Sequence, residues 1–367
     1  MVRRALFTGL LLGPLTIVVH YALDLDETVE FVLAALSLVP LAWLIGEATE
    51  HAAERTGPGI GGFLNATFGN APELIIALIA VHEGLTEVVR GSLTGSVVGN
   101  LLLVLGFSLV AGPRDELDRL SSFLSFGAIA VAVLLFLIPS VPSWDGDPDR
   151  HLIVQLSVPV SIVLLLVYVV VTLFSLRRHR ELHVASDQEV EAWTLQRALV
   201  VLGAATVVTA LVAEILVGSL EAFAEKFGLT DFFVAAVIVA IVGNAAEHGG
   251  AVVVARRGKV KLAAEIALAS AAQVAVFLIP AVALLSWFIE PLALGFREVE
   301  IAALAFGLVV AAATIWGGHA SKARGAVLLV AYAAIVVAFY AAGDREDHSD
   351  ASRANAAGAL VSGYVAT

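Results

Sequence analysis

Apolar runs of membrane-spanning length follow one another along this chain of 367 residues, separated by short polar connections. Eleven runs stand out, roughly 5–23, 29–49, 60–82, 88–111, 121–140, 151–176, 195–218, 231–255, 261–288, 299–317 and 324–342. Each is near or above the ~20 residues a helix needs to cross a bilayer. The pattern predicts an all-α polytopic membrane protein of about eleven transmembrane helices. The stretch 177–193, RRHRELHVASDQEVEAW, is the clearly polar internal connection and the natural joint between two halves. The segment after Ala342 starts acidic, turns small and apolar, and is expected to be mobile. The first run, Ala5–Leu23, is long enough to stay in the membrane and lacks a clear small-residue cleavage site, so it reads as a span and not as a removable signal.

The two halves repeat one another. Gly69-Asn70-Ala71-Pro72-Glu73 has a counterpart in Gly243-Asn244-Ala245-Ala246-Glu247, at an offset of 247 − 73 = 174 positions. The same offset, without a gap, pairs Ser96 with Ser270 and Glu47 with Glu221. This divides the chain into a first helix (1–28), an N-terminal five-helix repeat (29–176), a cytoplasmic linker (177–194), a C-terminal five-helix repeat (195–342) and a tail (343–367). Five is odd, so the two repeats enter the membrane with opposite topology. Inverted repeats with broken helices at their centre are typical of secondary transporters, whose site lies near the midplane where the repeats meet.

Composition sharpens this reading. Hydrophobic residues make up 59% of the chain, charged residues 15%, and mean hydropathy is +0.94, values foreign to a soluble domain. The absence of Cys excludes disulfides and thiolate chemistry. A net charge of −12 argues against nucleic acid as a partner. Placing the N-terminus in the cytoplasm puts 15 of the 21 Lys and Arg residues inside and leaves 6 outside, among them Arg90 and Arg150, as the positive-inside rule requires. Acidic outer loops and the low share of Lys among the basic residues point to a multi-pass protein of a prokaryotic inner membrane.

The repeated motif carries the chemistry. Gly and Pro disfavour a helix interior by about 1 and 3 kcal/mol, so the third and eighth spans are expected to break at these motifs, which lipid tolerates only where the break is buried in protein or lines a cavity. A carboxylate within the membrane is costly and marks function by default. Glu73 and Glu247, at equivalent places, point to one shared site for a hard cation. Calcium, which takes about 6–8 oxygen ligands in flexible geometry, fits two carboxylates and freed carbonyls. The structural alternative, a Glu paired with a buried Arg or capping a half-helix, lacks a mid-span Lys or Arg to serve it.

Further polar groups follow each motif. Ser92, Ser96 and Asn100 share a face of the fourth span, and Ser270 and Gln273 a face of the ninth. Ser96, Ser270, Asn100 and Gln273, with Asn70 and Asn244, are candidate ligands, Asn100 and Gln273 foremost; helix–helix hydrogen bonding is the competing role. Glu47, Glu50, His51 and Glu54 form a stripe on the second span, and Glu214, Glu221 and Glu225 lie on the seventh. Glu47 and Glu221 match under the repeat and read as cation vestibules on opposite sides, the others as solvated helix ends. His248 beside Glu247 reads equally as a proton relay, since His titrates near neutrality, or as a hydrogen-bonded spacer. No cofactor is implied beyond calcium and protons as transported substrates. The partners are these ions and the lipid bilayer, and the oligomeric state is open.

At these residues the sequence resembles the calcium/proton antiporter (cation/proton exchanger) family of the calcium/cation antiporter superfamily. The text that carries the resemblance is LIGEATEHAAERTG at 44–57, GGFLNATFGNAPELIIALIA at 61–80, GSLTGSVVGNLLLVLG at 91–106, IVGNAAEH at 241–248 and ASAAQVAVFLIP at 269–280. The resemblance covers roughly 29–342. It implies an eleven-span fold with an inverted five-plus-five core. It also implies Glu73 and Glu247 as central cation and proton ligands, with Asn70, Asn244, Asn100, Gln273 and His248 around them. Three features depart from the family pattern. Ala240 stands where proline is frequent. Pro72 before Glu73 is shared with sodium/calcium exchangers. The tenth–eleventh connection has Gly317-Gly318 and Arg324-Gly325 in place of an Asp-Gly and a Glu-Gly pair.

The expected function is exchange of calcium for protons by alternating access, in the direction of calcium efflux. Burial favours a protonated carboxylate and a bound cation favours the ionised one, so Glu73 and Glu247 can trade protons for calcium directly. Three rivals stand beside it. A sodium/calcium exchanger of this fold would want hydroxyl or carboxylate ligands where Asn70, Asn244 and Gln273 stand. An intramembrane metalloenzyme would want an HExxH pattern, which is missing. A passive channel would have no need of an inverted repeat with a carboxylate pair at its centre.

Overall fold

The computed structural model describes residues 2–23, 25–145, 147–182, 193–343 and 345. Most of the linker and nearly all of the tail lie outside the described residues, as does the expectation of a mobile tail. The first half contains α1 Val2–Gly9, α2 Leu12–Ala22, α3 Glu27–Phe68, α4 Ala71–His82, α5 Thr86–Val98, α6 Leu105–Ala111, α7 Arg119–Ser143 and α8 His151–Leu182. The second contains α9 Leu195–Gly218, α10 Leu220–Phe227, α11 Asp231–Phe233, α12 Ala240–Gly243, α13 Ala245–Arg256, α14 Val260–Gln273, α15 Ile279–Leu285, α16 Glu298–Ile315 and α17 Lys322–Ala342. Short π-helical turns at Gly99–Val104, Val234–Val239 and Val274–Leu278 join α5 to α6, α11 to α12 and α14 to α15.

Among the described residues, eight helices are long and apolar enough to cross a membrane, and nine if the bent pair Asp231–Gly243 and Glu247–Arg256 is one span. A count of eleven requires the shorter apolar helices Leu6–Ala22 and Ala71–His82 as well. The expected connection between the second and third spans is not a loop. The chain stays helical through α3 and doubles back tightly, so that a Cβ on Gly61 would sit 2.5 Å from the Ala53 carbonyl oxygen.

The helix boundaries repeat at the offset found in the sequence. Shifted by 174 positions, α4 falls on α13 and α6 on α15, end for end. The π turn after α5 falls on the one after α14 to within a residue. A π turn is commonly found at functional sites, and here each immediately follows or contains a predicted ligand: Asn100 in the first, Gln273 just before the second. The halves interlock. α3 packs along α9, and α5 packs against the π turn Val234–Val239. Gly95 permits that second approach, since a Cβ there would overlap the Ala236 carbonyl oxygen. The close contact brings Ser96 and Asn100 of the first half to the helix break of the second.

Candidate cation site

Both motifs break their helices in the same way. Asn70 has φ −101° and ψ 18° between α3 and α4, and Asn244 has φ −89° and ψ 6° between α12 and α13. At the second break the helix axis bends by 55°. Pro72 sits in the first turn of α4, where its missing N–H has no helical partner to lose. Glu73 and Glu247 each occupy the third position of the helix that restarts, where free backbone N–H groups and the helix dipole favour negative charge. The sequence thus delivers two carboxylates, each at a helix N-terminus, from opposite halves of the chain.

Glu73 is buried, and its Oε2 has no hydrogen-bond partner among the described residues. It borders a cavity of about 10 Å³ with Ser92, Ser96, Val239, Ala240 and Gly243, room on the order of one water. The Glu247 Oε2 accepts a hydrogen bond from the Ser270 hydroxyl.

The amides cross between the halves. The Asn100 Nδ2 donates to the Asn244 Oδ1 at 3.1 Å, and the Asn244 Nδ2 donates to the Ser96 hydroxyl at 2.8 Å and the Ala240 carbonyl at 2.9 Å. The Asn70 Nδ2 points to the Gln273 Oε1 at 3.5 Å. Each broken helix therefore touches the polar face that follows the other half's motif. Asn70, Asn100 and Asn244 are buried and Gln273 is half-buried. Among the described residues, no three His, Cys, Asp or Glu side chains are grouped to hold a metal. The oxygen set here is instead two carboxylates with amides and hydroxyls, which suits a hard cation.

The other predicted residues lie apart from this centre or in secondary roles. Ser92 lines the cavity, but its hydroxyl donates back to the Val89 carbonyl at 3.0 Å. The Nε2 of His248 has no hydrogen-bond partner among the described residues. Glu47 is half-buried, 3.9 Å from the His51 Nε2. His51 is buried and stacks on Trp193 with ring centres 4.7 Å apart, and Arg55 donates to the Trp193 carbonyl at 3.1 Å. This end of the acidic stripe is thus docked against the start of the second half. Glu221 is exposed in the first turn of α10, beyond the interruption at Gly218-Ser219.

One buried cluster was not anticipated. Arg90, counted by sequence among the charges on the outer side, is 1% exposed in the first turns of α5. Its guanidinium donates to Asp149 at 2.9 and 3.0 Å, to Glu87 at 2.8 Å, to the Thr86 hydroxyl at 2.9 Å and to the Ala293 carbonyl at 3.2 Å. Arg345 donates to Glu87 at 3.0 Å. Close by, the fully buried Glu300 accepts from Thr94 at 2.9 Å and from the Arg297 N–H at 2.8 Å. A lone Arg three residues after a Glu at the start of an apolar run was the available signal.

Comparison with known proteins places this architecture. The family model described as sodium/calcium exchanger protein matches residues 27–177 and again residues 197–341. The chain belongs to the sodium/calcium exchanger protein family. It is 36% identical over 357 residues to a protein of Synechocystis named Ca(2+)/H(+) antiporter, covering 89% of this chain and 94% of that one. It is 38% identical over 327 residues to Ca(2+)/H(+) antiporter ChaA of Bacillus subtilis, covering 86% and 92%. The solved structure of native YfkE superposes with a TM-score of 0.79 at 35% identity, covering 91% of this chain and 99% of that one. The sodium–calcium exchanger NCX_Mj matches with a TM-score of 0.53 at 18% identity, covering 86% and 99%, a likeness of fold alone.

Proposed function

We propose that this member of the family is a secondary transporter that exchanges calcium for protons across a membrane by alternating access. The observation that carries the reading is the pair Glu73 and Glu247. They hold equivalent helix-start positions in the two halves, and Glu73 keeps one buried carboxylate oxygen without a hydrogen bond. An unpartnered buried acceptor is costly unless a proton or a cation takes it. Ionised, the two carboxylates balance the double charge of calcium. Protonated, they have no reason to hold it. Ser96, Ser270, Asn70, Asn100, Asn244 and Gln273 supply neutral oxygens and fix the carboxylates in place. In this reading Asn244 and Gln273 also sense the ion, because each bonds across the two halves that must move. His248 offers an open ring nitrogen beside Glu247 for proton transfer, and Glu47 and Glu221 mark the two approaches.

The division into a first helix, two inverted five-helix repeats (29–176 and 195–342) and a linker is part of this proposal, supported by the repeating helix boundaries. So is the count of eleven spans. The excess of Lys and Arg on one set of loops supports a cytoplasmic N-terminus, and the bacterial relatives support an inner membrane. Proton entry down its gradient would then drive calcium out.

The test is calcium uptake into proteoliposomes of the purified protein. Uptake driven by an imposed pH gradient, unchanged by a sodium gradient at constant pH, is the expected result, lost in Glu73→Gln and in Glu247→Gln. Uptake driven by sodium alone would move the chain to sodium exchange. Normal exchange by either variant would overturn the site.

A further inference from the structure

A cleft of about 760 Å³ lies between α7 and α16 and shares no lining residue with the cavity at Glu73. Leu120, Phe123, Phe126, Ala130, Val309 and Ala312 form much of its wall. Its volume is in the range of ligand pockets, about 300–1,000 Å³. Arg119 is the charged residue of the lining. It stands at the first turn of α7, beside Trp316, which is 81% exposed just past the end of α16. One end of the cleft is therefore basic and aromatic, as at a membrane–water boundary. The rest is apolar and opens sideways between two spans.

Beside the lining residue Arg119, a second arginine, Arg324, flanks the same turn. Arg119 donates to the Gly317 carbonyl at 2.9 Å, and Arg324 donates to the His319 carbonyl. Between them Gly318 adopts φ +69°, and a Cβ there would fall 2.6 Å from the Arg119 Nε. This is the tenth–eleventh connection, where the sequence carries Gly317-Gly318 and Arg324-Gly325 in place of acidic pairs. Two of the neighbouring carboxylates have partners of their own. Asp118 caps α7 through the Ser121 N–H and meets Lys261 at 3.6 Å, while Asp115 accepts from the Glu116 N–H at 2.8 Å. A guanidinium has five N–H donors in a fork that fits phosphate, and the contacts named use few of them.

We propose that this cleft is a binding site for an anionic phospholipid of the cytoplasmic leaflet. An acyl chain lies between α7 and α16, and the headgroup phosphate meets Arg119 and Arg324. The sideways opening selects what the bilayer itself contains. The paired guanidinium groups select acidic over zwitterionic headgroups. Basic pockets between spans on the cytoplasmic side recognise acidic lipids in this manner.

The experiment uses the purified full chain, washed in neutral detergent and titrated with phosphatidylglycerol, phosphatidylcholine or inorganic phosphate. Native mass spectrometry counts bound lipid, and thermal unfolding reports stabilisation. Retention of phosphatidylglycerol over phosphatidylcholine by roughly thirtyfold is expected from two basic contacts. Arg119→Gln with Arg324→Gln should reduce that preference to near parity. Gly127→Phe should displace the lipid while both arginines stay, because a Cβ on Gly127 meets nothing within 4 Å and the ring can fill the cleft. Equal retention of the two lipids by the unaltered protein would overturn the proposal, whether or not the variants fold. So would equal protection by inorganic phosphate. An oligomer that Gly127→Phe splits without any lipid being lost would assign the cleft to a second copy of the chain, and would likewise overturn it.

Discussion

Gly243 of the second motif leaves the space that the Glu73 side chain of the first motif fills. A Cβ on Gly243 would lie 3.3 Å from the Glu73 Cγ and 3.9 Å from its Oε1. The two motifs are therefore parts of one packed unit, and the glycine is as much a part of the carboxylate's setting as any polar group. Gly243→Ala should push Glu73 from its place. Overpacking of this kind costs about 1–3 kcal/mol, and a shift of 1.4 kcal/mol is about tenfold in an equilibrium constant. Calcium transport should fall about tenfold with the fold retained. Gly218→Ala, at the end of α9 where a Cβ meets nothing within 4 Å, should leave transport unchanged. Equal effects from both substitutions would show that crowding of Glu73 is not the cause.

Asn244 is the junction of the polar network, held by Asn100, Ser96 and the Ala240 carbonyl. Asn100→Ala and Asn244→Ala remove opposite ends of one buried hydrogen bond. Each single change strands the partner, at about 1–3 kcal/mol. The double change should cost clearly less than the two together, with a coupling of about 0.5–3 kcal/mol. Calcium binding and thermal unfolding of the four proteins would measure it. Strict additivity would mean that the two amides act separately.

The proposed exchange of protons for calcium on the same oxygens would fix the sign of the pH response. Raising pH removes the competing protons, so apparent calcium affinity should rise with pH, by up to about tenfold per unit for each proton displaced. In Glu73→Gln or Glu247→Gln at most one of the two carboxylates remains, and residual calcium binding should show the shallower slope. Isothermal titration over a pH series would read both slopes. An affinity independent of pH in the unaltered protein would separate calcium binding from proton binding.

What the sequence made legible follows from local rules. Gly, Asn and Pro within apolar runs announced the two helix breaks, and the shared offset announced that they are equivalent. The placement of Glu73 and Glu247 at restarted helix ends follows from those breaks. The cluster around Arg90 had only one local sign, an Arg three residues after a Glu at the start of an apolar run, and that sign names none of its distant partners. Its groups come from α5, from the connection near Asp149, from that near Ala293 and from Arg345, segments up to 258 positions apart. Counting Arg90 among the outside charges missed its burial. The tight return between Ala53 and Gly61 was hidden for the opposite reason, since polar and glycine residues there suggested a loop where the backbone stays helical. Glu47 and Glu221 match in sequence, yet one is docked near His51 and the other is exposed, because packing around the two halves differs.

The Arg90 cluster carries the last prediction. Burial pushes the Asp149 carboxyl up. The Arg90 charge and hydrogen bonds, with the Ala293 N–H and the Thr86 hydroxyl, outweigh that and hold it below the ordinary carboxylate value of 3.8. A carboxyl held lower in the folded state adds stability that is complete above its unfolded pKa and is lost as pH falls through the folded one. The contribution of Asp149 is thus full at neutral pH and disappears on acidification below about 3.8. Asp149→Asn should lower stability at pH 7 and flatten its decline as pH falls below about 3.8. Arg90→Met should cost more, since it leaves Glu87 and Asp149 without their shared cation. Breaking a buried pair costs about 3–5 kcal/mol, and the lower end applies because both carboxylates are about a quarter exposed, at 27% and 26%, and Arg345 still meets Glu87. Chemical unfolding in detergent across this pH range, with the two variants beside the unaltered protein, would measure both effects. A stability profile for Asp149→Asn parallel to that of the unaltered protein would show that this carboxyl does not tie the connection near Asp149 to α5.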